Sequence, residues 1–288
     1  MLRVADVIER EFQVTNLPQE HSMKKAKQEI IDMWNKTSDS DWYNSYRTNE
    51  AINAISQNPS SAFHPTTFSM LKEFLGDFKD KKIFVPSSGD NHAAFAFCLL
   101  GAQVTSADIS ERQIENAKAI ADKQNWHIRF FVDNTMTLET VDDVYDLVYT
   151  SNGVFVWIDD LLSMFTNIRR ILKDGGLYLF YDIHPFTRPF NDSDPAERTK
   201  LIIKKPYDQT DVGLNNHWRV QDLLNAVITS GLTIEHIEEM YPEFGTYWFE
   251  SSGGRNGLSD AELKKLYDWK SNPLAALPAW LSVCSRKR

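Results

Sequence analysis

The segment KIFVPSSGDNHAAFAFCLLGAQVTSADIS, residues 82–110, constrains the fold more than any other part of the chain. Ile83-Phe84-Val85 reads as a buried strand, and Ser87-Ser88-Gly89-Asp90-Asn91 as a tight loop. The apolar run 92–100 reads as a helix that Gly101 stops. A second short apolar run, 104–107, closes on Asp108. Strand, loop, helix, strand and acid, in that order, is a layout that holds an adenosine-containing cofactor. The loop lets backbone approach the ligand, and Asp108, 19 residues after Gly89, stands where a carboxylate accepts both ribose hydroxyls. Taken alone, Asp108 reads equally well as a strand-end turn residue, since Asp-Ile-Ser also starts a helix.

Strands and helices keep alternating downstream. Ser110 is a good N-cap for a helix to about residue 123, with Ile114, Ala117 and Ile120 inward. Residues 128–132 predict a third strand ending at Asp133-Asn134, and 144–149 a fourth ending at Thr150-Ser151-Asn152. A helix over 161–172 has a basic last turn and a Gly175-Gly176 stop. Residues 177–181 predict a fifth strand, followed by Asp182-Ile183-His184-Pro185. Short crossovers between successive strands imply one parallel sheet with helices on both faces.

The flanks read differently. The first 80 residues look helical: Val4, Val7, Ile8 and Phe12 share one face, and Ile30, Met33 and Trp34 another. The stretch SDSDWYNSY, 38–46, is aromatic and polar at once, without a period. Residues 187–216 are polar and irregular, 220–229 predict a helix, 233–240 a strand, 241–258 an aromatic loop, 260–269 a helix and 279–285 a final strand.

A net charge of -9 disfavours nonspecific binding to nucleic acid or anionic membranes. The longest apolar run, 93–102, is too short to span a bilayer. Cys98 and Cys284 have no metal-like neighbours, no metal site is expected, and the N-terminus shows no secretory signal; a reducing, cytoplasmic setting is the expectation.

In order and spacing these features resemble the class I S-adenosylmethionine-dependent methyltransferases. The loop SSGDN stands where that family has its glycine-rich loop, and RRILKDGGLYLF, 169–180, is similar to its helix–GG–strand signature. The tail, GLTIEHIEEM and later PAWLSVCSRK, resembles the family's antiparallel last pair of strands. The resemblance implies a doubly wound, mostly parallel seven-stranded α/β sheet with an antiparallel C-terminal strand. A helical extension, 1–78, would precede a cofactor domain, 79–288, with substrate-pocket insertions at 185–216 and 241–277. It implies S-adenosylmethionine as cofactor, held by Ser87, Gly89 and Asp90 in the loop and by Asp108 and Ile109 at the ribose. Asp133 and Asn134 would meet the adenine, and Ser151 and Asn152 the methionine end.

One departure matters. Where the family carries an acid before its loop, this chain has Val85 and Pro86, and Ser87 and Asn91 replace the loop's first and third glycines. Asp90 is one substitute for that acid, and a residue of the N-terminal segment is another. Trp34, Trp42, Tyr43, Tyr46 and Arg47 are either ordinary core or a lid, in which Arg47 faces the cofactor carboxylate and Tyr46 or Tyr43 the sulfonium. His184, past the fifth strand, is a candidate base or merely a loop histidine. Methyl transfer needs alignment more than a dedicated base, so no triad is expected. The expected function is methyl transfer to a small-molecule acceptor, with no nucleic-acid or membrane partner and an open oligomeric state. The alternatives are a cofactor-binding protein without transfer activity, or a nicotinamide-dependent oxidoreductase. The latter would show G-x-G-x-x-G where this chain has SSGDNHA.

Overall fold

Alternation of side chains along short apolar strands gives the sheet two buried faces. The computed structural model describes residues 28–139, 141, 144–190, 201–241 and 259–288. Its strands are β1 (Lys82–Val85), β2 (Gln103–Asp108), β3 (Ile128–Val132), β4 (Tyr145–Ser151), β5 (Leu172–Ile183), β6 (Asp211–Val212), β7 (Asn215–Asn216), β8 (Leu232–Met240) and β9 (Trp280–Lys287). Seven form one sheet in the order β3-β2-β1-β4-β5-β9-β8, and β6 and β7 make a separate two-stranded ribbon. β1 to β5 pair in parallel, and β9 runs antiparallel between β5 and β8.

The helices are α1 (28–37), α2 (Asp41–Tyr46), α3 (Asn49–Gln57), α4 (Pro65–Leu75), α5 (His92–Leu99), α6 (Glu111–Gln124), α7 (Leu161–Ile171), α8 (Val220–Thr229) and α9 (Asp260–Leu266). Ile83 and Val85 point to one face and Phe84 to the other, as the two-residue strand period requires. The first face buries Val104, Leu147 and Leu179 against α3, α4, α5 and α6 through Ile52, Leu71, Phe97 and Ala117. The second buries Val148, Phe180 and Val283 against α7 and α8 through Met164, Phe165, Ile168 and Val227. Each fully buried Leu, Ile or Phe contributes about 1.5–3 kcal/mol of burial free energy. Ile52, Ile55 and Met70 thus share one core with β1, so the N-terminal helices of the described chain are packed on the sheet.

Helix starts follow the sequence closely. Ser110 accepts the Gln113 N–H at the start of α6, and Asp160 accepts the Ser163 N–H at the start of α7. Three elements differ from expectation. Residues 38–46 contain a helix, α2, because Ser40 caps it and Tyr43 is buried against Trp34, 6.1 Å between ring centroids. The irregular stretch before residue 217 holds the β6–β7 ribbon. β5 begins at Leu172 rather than 177, where Leu172 pairs with Tyr145 across a register shift. The expected face of Val4, Val7, Ile8 and Phe12 lies outside the described residues, as does 242–258. No helix among the described residues is long and apolar enough to cross a membrane.

The Gly175-Gly176 pair splits into two requirements. Gly175 sits at φ +77° with nothing within 4 Å of a built Cβ. A Cβ on Gly176 would lie 2.8 Å from the Lys173 carbonyl oxygen and 2.9 Å from that of Tyr145. Gly176→Ala should therefore lower the unfolding free energy by about 1–3 kcal/mol, read from the urea midpoint. Gly175→Ala should cost only the left-handed strain of about 1–2 kcal/mol. Equal midpoints for wild type and Gly176→Ala would show that the β4–β5 entrance tolerates a side chain.

Candidate functional site

The strand order reverses between β1 and β4, and open parallel sheets bind ligands at the carboxyl ends of strands beside such a switch point. The loop after β1 lies there. Ser87, Gly89 and Asn91 all adopt positive φ, +49°, +53° and +65°. The two residues that replace glycines keep a glycine-like backbone, and their side chains hold it. The Ser87 hydroxyl is 2.7 Å from that of Thr135. Asn91 donates to the Gly89 carbonyl at 3.0 Å and accepts from Ser106 on β2. Asp90 accepts the His92 N–H at 2.9 Å and so closes the first turn of α5.

Asp108 joins this loop to the next crossover. Its carboxylate accepts the Gly89 N–H at 3.0 Å and the Ser110 N–H at 2.9 Å. Burial pushes the Asp108 carboxyl above its ordinary pKa, while N–H groups of Ser110, Gly89 and Ile109 pull it back. A carboxylate has about four lone-pair directions; the N–H groups of Gly89, Ser110 and Ile109 draw on three of them, and what is left faces the cavity.

These residues border a cavity of about 340 Å³. Of the residues singled out from sequence, Ser87, Gly89, Asp90, Asp108, Ile109, Asn134, Ser151 and Asn152 line it. Asp133 is buried just behind, donating its N–H to the Asp108 carbonyl at 3.0 Å and accepting the Asn134 N–H at 2.7 Å.

Arg47, Tyr46 and His184 do not line the cavity. The Arg47 guanidinium is committed to the Ser38 carbonyl and hydroxyl and to the Gln113 side chain. The Tyr46 carbonyl accepts from His92 Nε2 at 2.7 Å, and the Tyr46 ring packs on Trp42. His184 is buried at the end of β5, its Nδ1 accepting the Phe186 N–H at 3.2 Å and its Nε2 2.8 Å from Glu239. That pattern leaves the proton on Nε2, and burial lowers the imidazole pKa. The ring caps a turn and has no free nitrogen to offer a substrate.

The aromatic segment does reach the site. Trp34, Trp42 and Tyr43 line the cavity, and Trp34 packs edge-on to Trp157, 5.3 Å between centroids. Polar contacts dock this segment on the start of α6. Asn35 accepts from the Ser110 hydroxyl at 2.8 Å and the Arg112 N–H at 3.2 Å, and Arg112 pairs with Asp39 at 2.8 Å. The exposed ion pair contributes at most about 1 kcal/mol; the buried rings matter more. Sequence reasoning missed Thr135, Met136, Trp157, Asp159 and the ribbon residues Asp211, Gly213, Leu214 and Asn216. Only Trp157 had a usable signal, in the five-residue apolar run 154–158 just past the fourth strand.

Asp182, at the end of β5, shapes the opposite wall. It accepts N–H bonds from Gly153 at 2.7 Å, Val154 at 3.0 Å and Phe155 at 3.2 Å. This fixes the turn that carries Asn152 and Trp157. The residues fit an adenosyl amino-acid cofactor on two counts. Asp108 keeps free acceptor directions, and the Ser88 hydroxyl, buried on the cavity wall, has no hydrogen-bond partner among the described residues. Among those residues no group of three His, Cys, Asp or Glu is arranged to hold a metal.

Comparison with known proteins agrees with this geometry. A family described as "Methyltransferase domain" matches residues 87–176. A sterol 24-C-methyltransferase of Gibberella zeae is 26% identical over 194 residues, 64% of this chain and 50% of that protein. The chain thus spans about half the length of that relative. Among solved structures, an S-adenosylmethionine-dependent methyltransferase from Mesorhizobium loti has 22% identity and a TM-score of 0.55, covering 76% of this chain and 97% of that one. A geranyl diphosphate C-methyltransferase from Streptomyces coelicolor, crystallised with S-adenosyl-L-homocysteine, has 13% identity and a TM-score of 0.59, covering 91% and 98%. At these identities the two structures speak for the fold.

Because His184 serves the β5 end rather than the cavity, His184→Ala should leave S-adenosylhomocysteine affinity within about twofold of wild type. It should lower stability by about 1–3 kcal/mol through the orphaned Phe186 N–H. Calorimetric titration and chemical denaturation read the two effects separately. A large loss of affinity at unchanged stability would return His184 to the site.

Proposed function

We propose that this chain, whose central part is a class I S-adenosylmethionine-dependent methyltransferase domain, transfers a methyl group to a small-molecule acceptor. The observation that carries the reading is the Asp108 carboxylate, tied to Gly89 across the β1 and β2 ends, facing a cavity with an orphaned Ser88 hydroxyl. Asp108 and Ile109 would take the ribose, Asn134 with Asp133 behind it the adenine, and the SSGDN loop with Ser151 and Asn152 the amino-acid end. When bound, S-adenosylmethionine would supply an electrophilic sulfonium methyl group for direct displacement by the acceptor.

The chain's own share of the work is alignment and exclusion of water. Trp34, Trp42 and Tyr43 cover the cavity from the N-terminal side, and the β6–β7 ribbon borders it from the insertion. A covered cavity of about 340 Å³ supports a small acceptor over a polymer. The sterol and geranyl diphosphate enzymes named above are compatible with small acceptors; their particular substrates are not carried over. Arg47 acts in this reading as a tether of the cover, holding α2 to α6, and not as a ligand of the cofactor carboxylate.

Asp108→Ala should weaken S-adenosylmethionine binding by about 2–3 kcal/mol, the worth of a pair of charge-assisted hydrogen bonds, with a matching fall in kcat/KM for transfer of labelled methyl into a metabolite extract. Unchanged affinity in the folded variant would sink the ribose assignment. Cofactor binding without any labelled product would favour a binding protein without transfer activity.

The cover has its own test. Amides between residues 34 and 47 should exchange more slowly with solvent when S-adenosylhomocysteine is added, since ligand entry and exit require this segment to open. Identical exchange with and without ligand would make it a fixed wall.

A further inference from the structure

Among the described residues the cavity lining includes no Lys, Arg or His, but four Asp: Asp90, Asp108, Asp159 and Asp211. Asp90 and Asp108 belong to the cofactor side. Asp159 follows the Phe155–Trp157 turn and Asp211 opens the β6–β7 ribbon, so both stand on elements outside the cofactor loop. Both are exposed, and neither has an ion-pair or side-chain hydrogen-bond partner among the described residues. Arg47, beside the wall, lies 5.3 Å from the Tyr43 ring and turns its guanidinium to Ser38 and Gln113.

The apolar part of the lining has the same sign. Trp34, Trp42, Trp157 and Tyr43 present aromatic rings, whose faces carry partial negative charge and attract cations. The cofactor brings one net positive charge, its carboxylate offsetting its ammonium. Two carboxylates and an aromatic wall are then left over for the second molecule.

Resting on the reading above, we infer that the acceptor is an amine-bearing molecule, and that the site rejects carboxylates, phosphates and diphosphates. An amine is attracted by Asp159, Asp211 and the rings while it is protonated in solution; where its nitrogen is the acceptor, it gives that proton up to solvent before the freed lone pair takes the methyl group and the carbon–sulfur pair stays with sulfur. An anionic head would meet carboxylates, and among the described residues of the lining there is no basic side chain to pair with it. At solvated separations each carboxylate shifts the ratio of cation to anion affinity by about threefold, so the pair together gives about tenfold.

The experiment titrates the full chain, saturated with S-adenosylhomocysteine, with probes of one shape and opposite charge: benzylamine and benzyltrimethylammonium against benzoate and benzylphosphonate. Tryptophan fluorescence and calorimetry report binding without turnover. The cations should bind at least about tenfold tighter than the anions, with the gap narrowing in about 0.5 M salt. The double variant Asp159→Asn/Asp211→Asn should close most of that gap while leaving S-adenosylhomocysteine affinity unchanged. Anions binding as tightly as cations would overturn the inference, and so would a gap that the double variant leaves intact. Failure of both probe classes on protein that holds S-adenosylhomocysteine would also overturn it. If S-adenosylhomocysteine itself fails to bind while the cation preference persists, the cofactor reading falls and the charge selectivity stands.

Discussion

The carboxylate of Asp108 is the joint on which the site depends. It accepts the Gly89 N–H from one crossover and the Ser110 N–H from the next. Ser110 in turn donates its hydroxyl to Asn35 and accepts the Gln113 N–H. One buried acid therefore links the loop after β1, the first turn of α6 and the cover helix α1. A buried carboxylate is costly unless its lone pairs are used, and here part of its capacity is directed at backbone and part at the cavity. The same group that would recognise a ligand also holds the floor in shape.

The neighbouring loop shows how a conformation outlasts its usual residue. Ser87 and Asn91 stand at positive φ, where glycine is the least strained choice. Asn91 offsets the strain with bonds to the Gly89 carbonyl and to Ser106, and Ser87 with its contact to Thr135. Val85 ends the buried strand, and Pro86 follows it, where an acid would otherwise reach forward. The negative charge at this end of the cavity is instead supplied from Asp90, which also caps α5. Burial and the charges of Asp90 and Asp108 together push the Tyr43 phenol up, so the cover ring senses the sign of the floor beneath it.

Local signals were enough for much of the core. The alternation Ile83, Phe84, Val85 and the caps Ser110 and Asp160 are short-range facts, readable because a strand's period and a helix's orphan N–H groups leave marks within a few residues. β5 starts five residues before the apolar run because Leu172 pairs with Tyr145 ahead of a register shift that no local pattern encodes. The alternatives open for Arg47 and His184 part for a related reason. A charged or titratable side chain near a strand end looks available in a sequence, and only the packed structure reveals that Ser38, Gln113, Phe186 and Glu239 already occupy it.

By itself the sequence determined the alternating architecture, the place of the cofactor loop and acid, and eight residues that border the cavity. Those depend on order, spacing and backbone preference within about thirty residues of chain. Tertiary structure alone decided what stands opposite them. Trp34 from the N-terminal segment, Trp157 from a short turn and Asp211 from a two-stranded ribbon meet at one cavity although long stretches of chain separate them. Their convergence follows from burying aromatic surface over the carboxyl edge of the sheet, a gain that belongs to contact between distant segments and so leaves no period in any one of them.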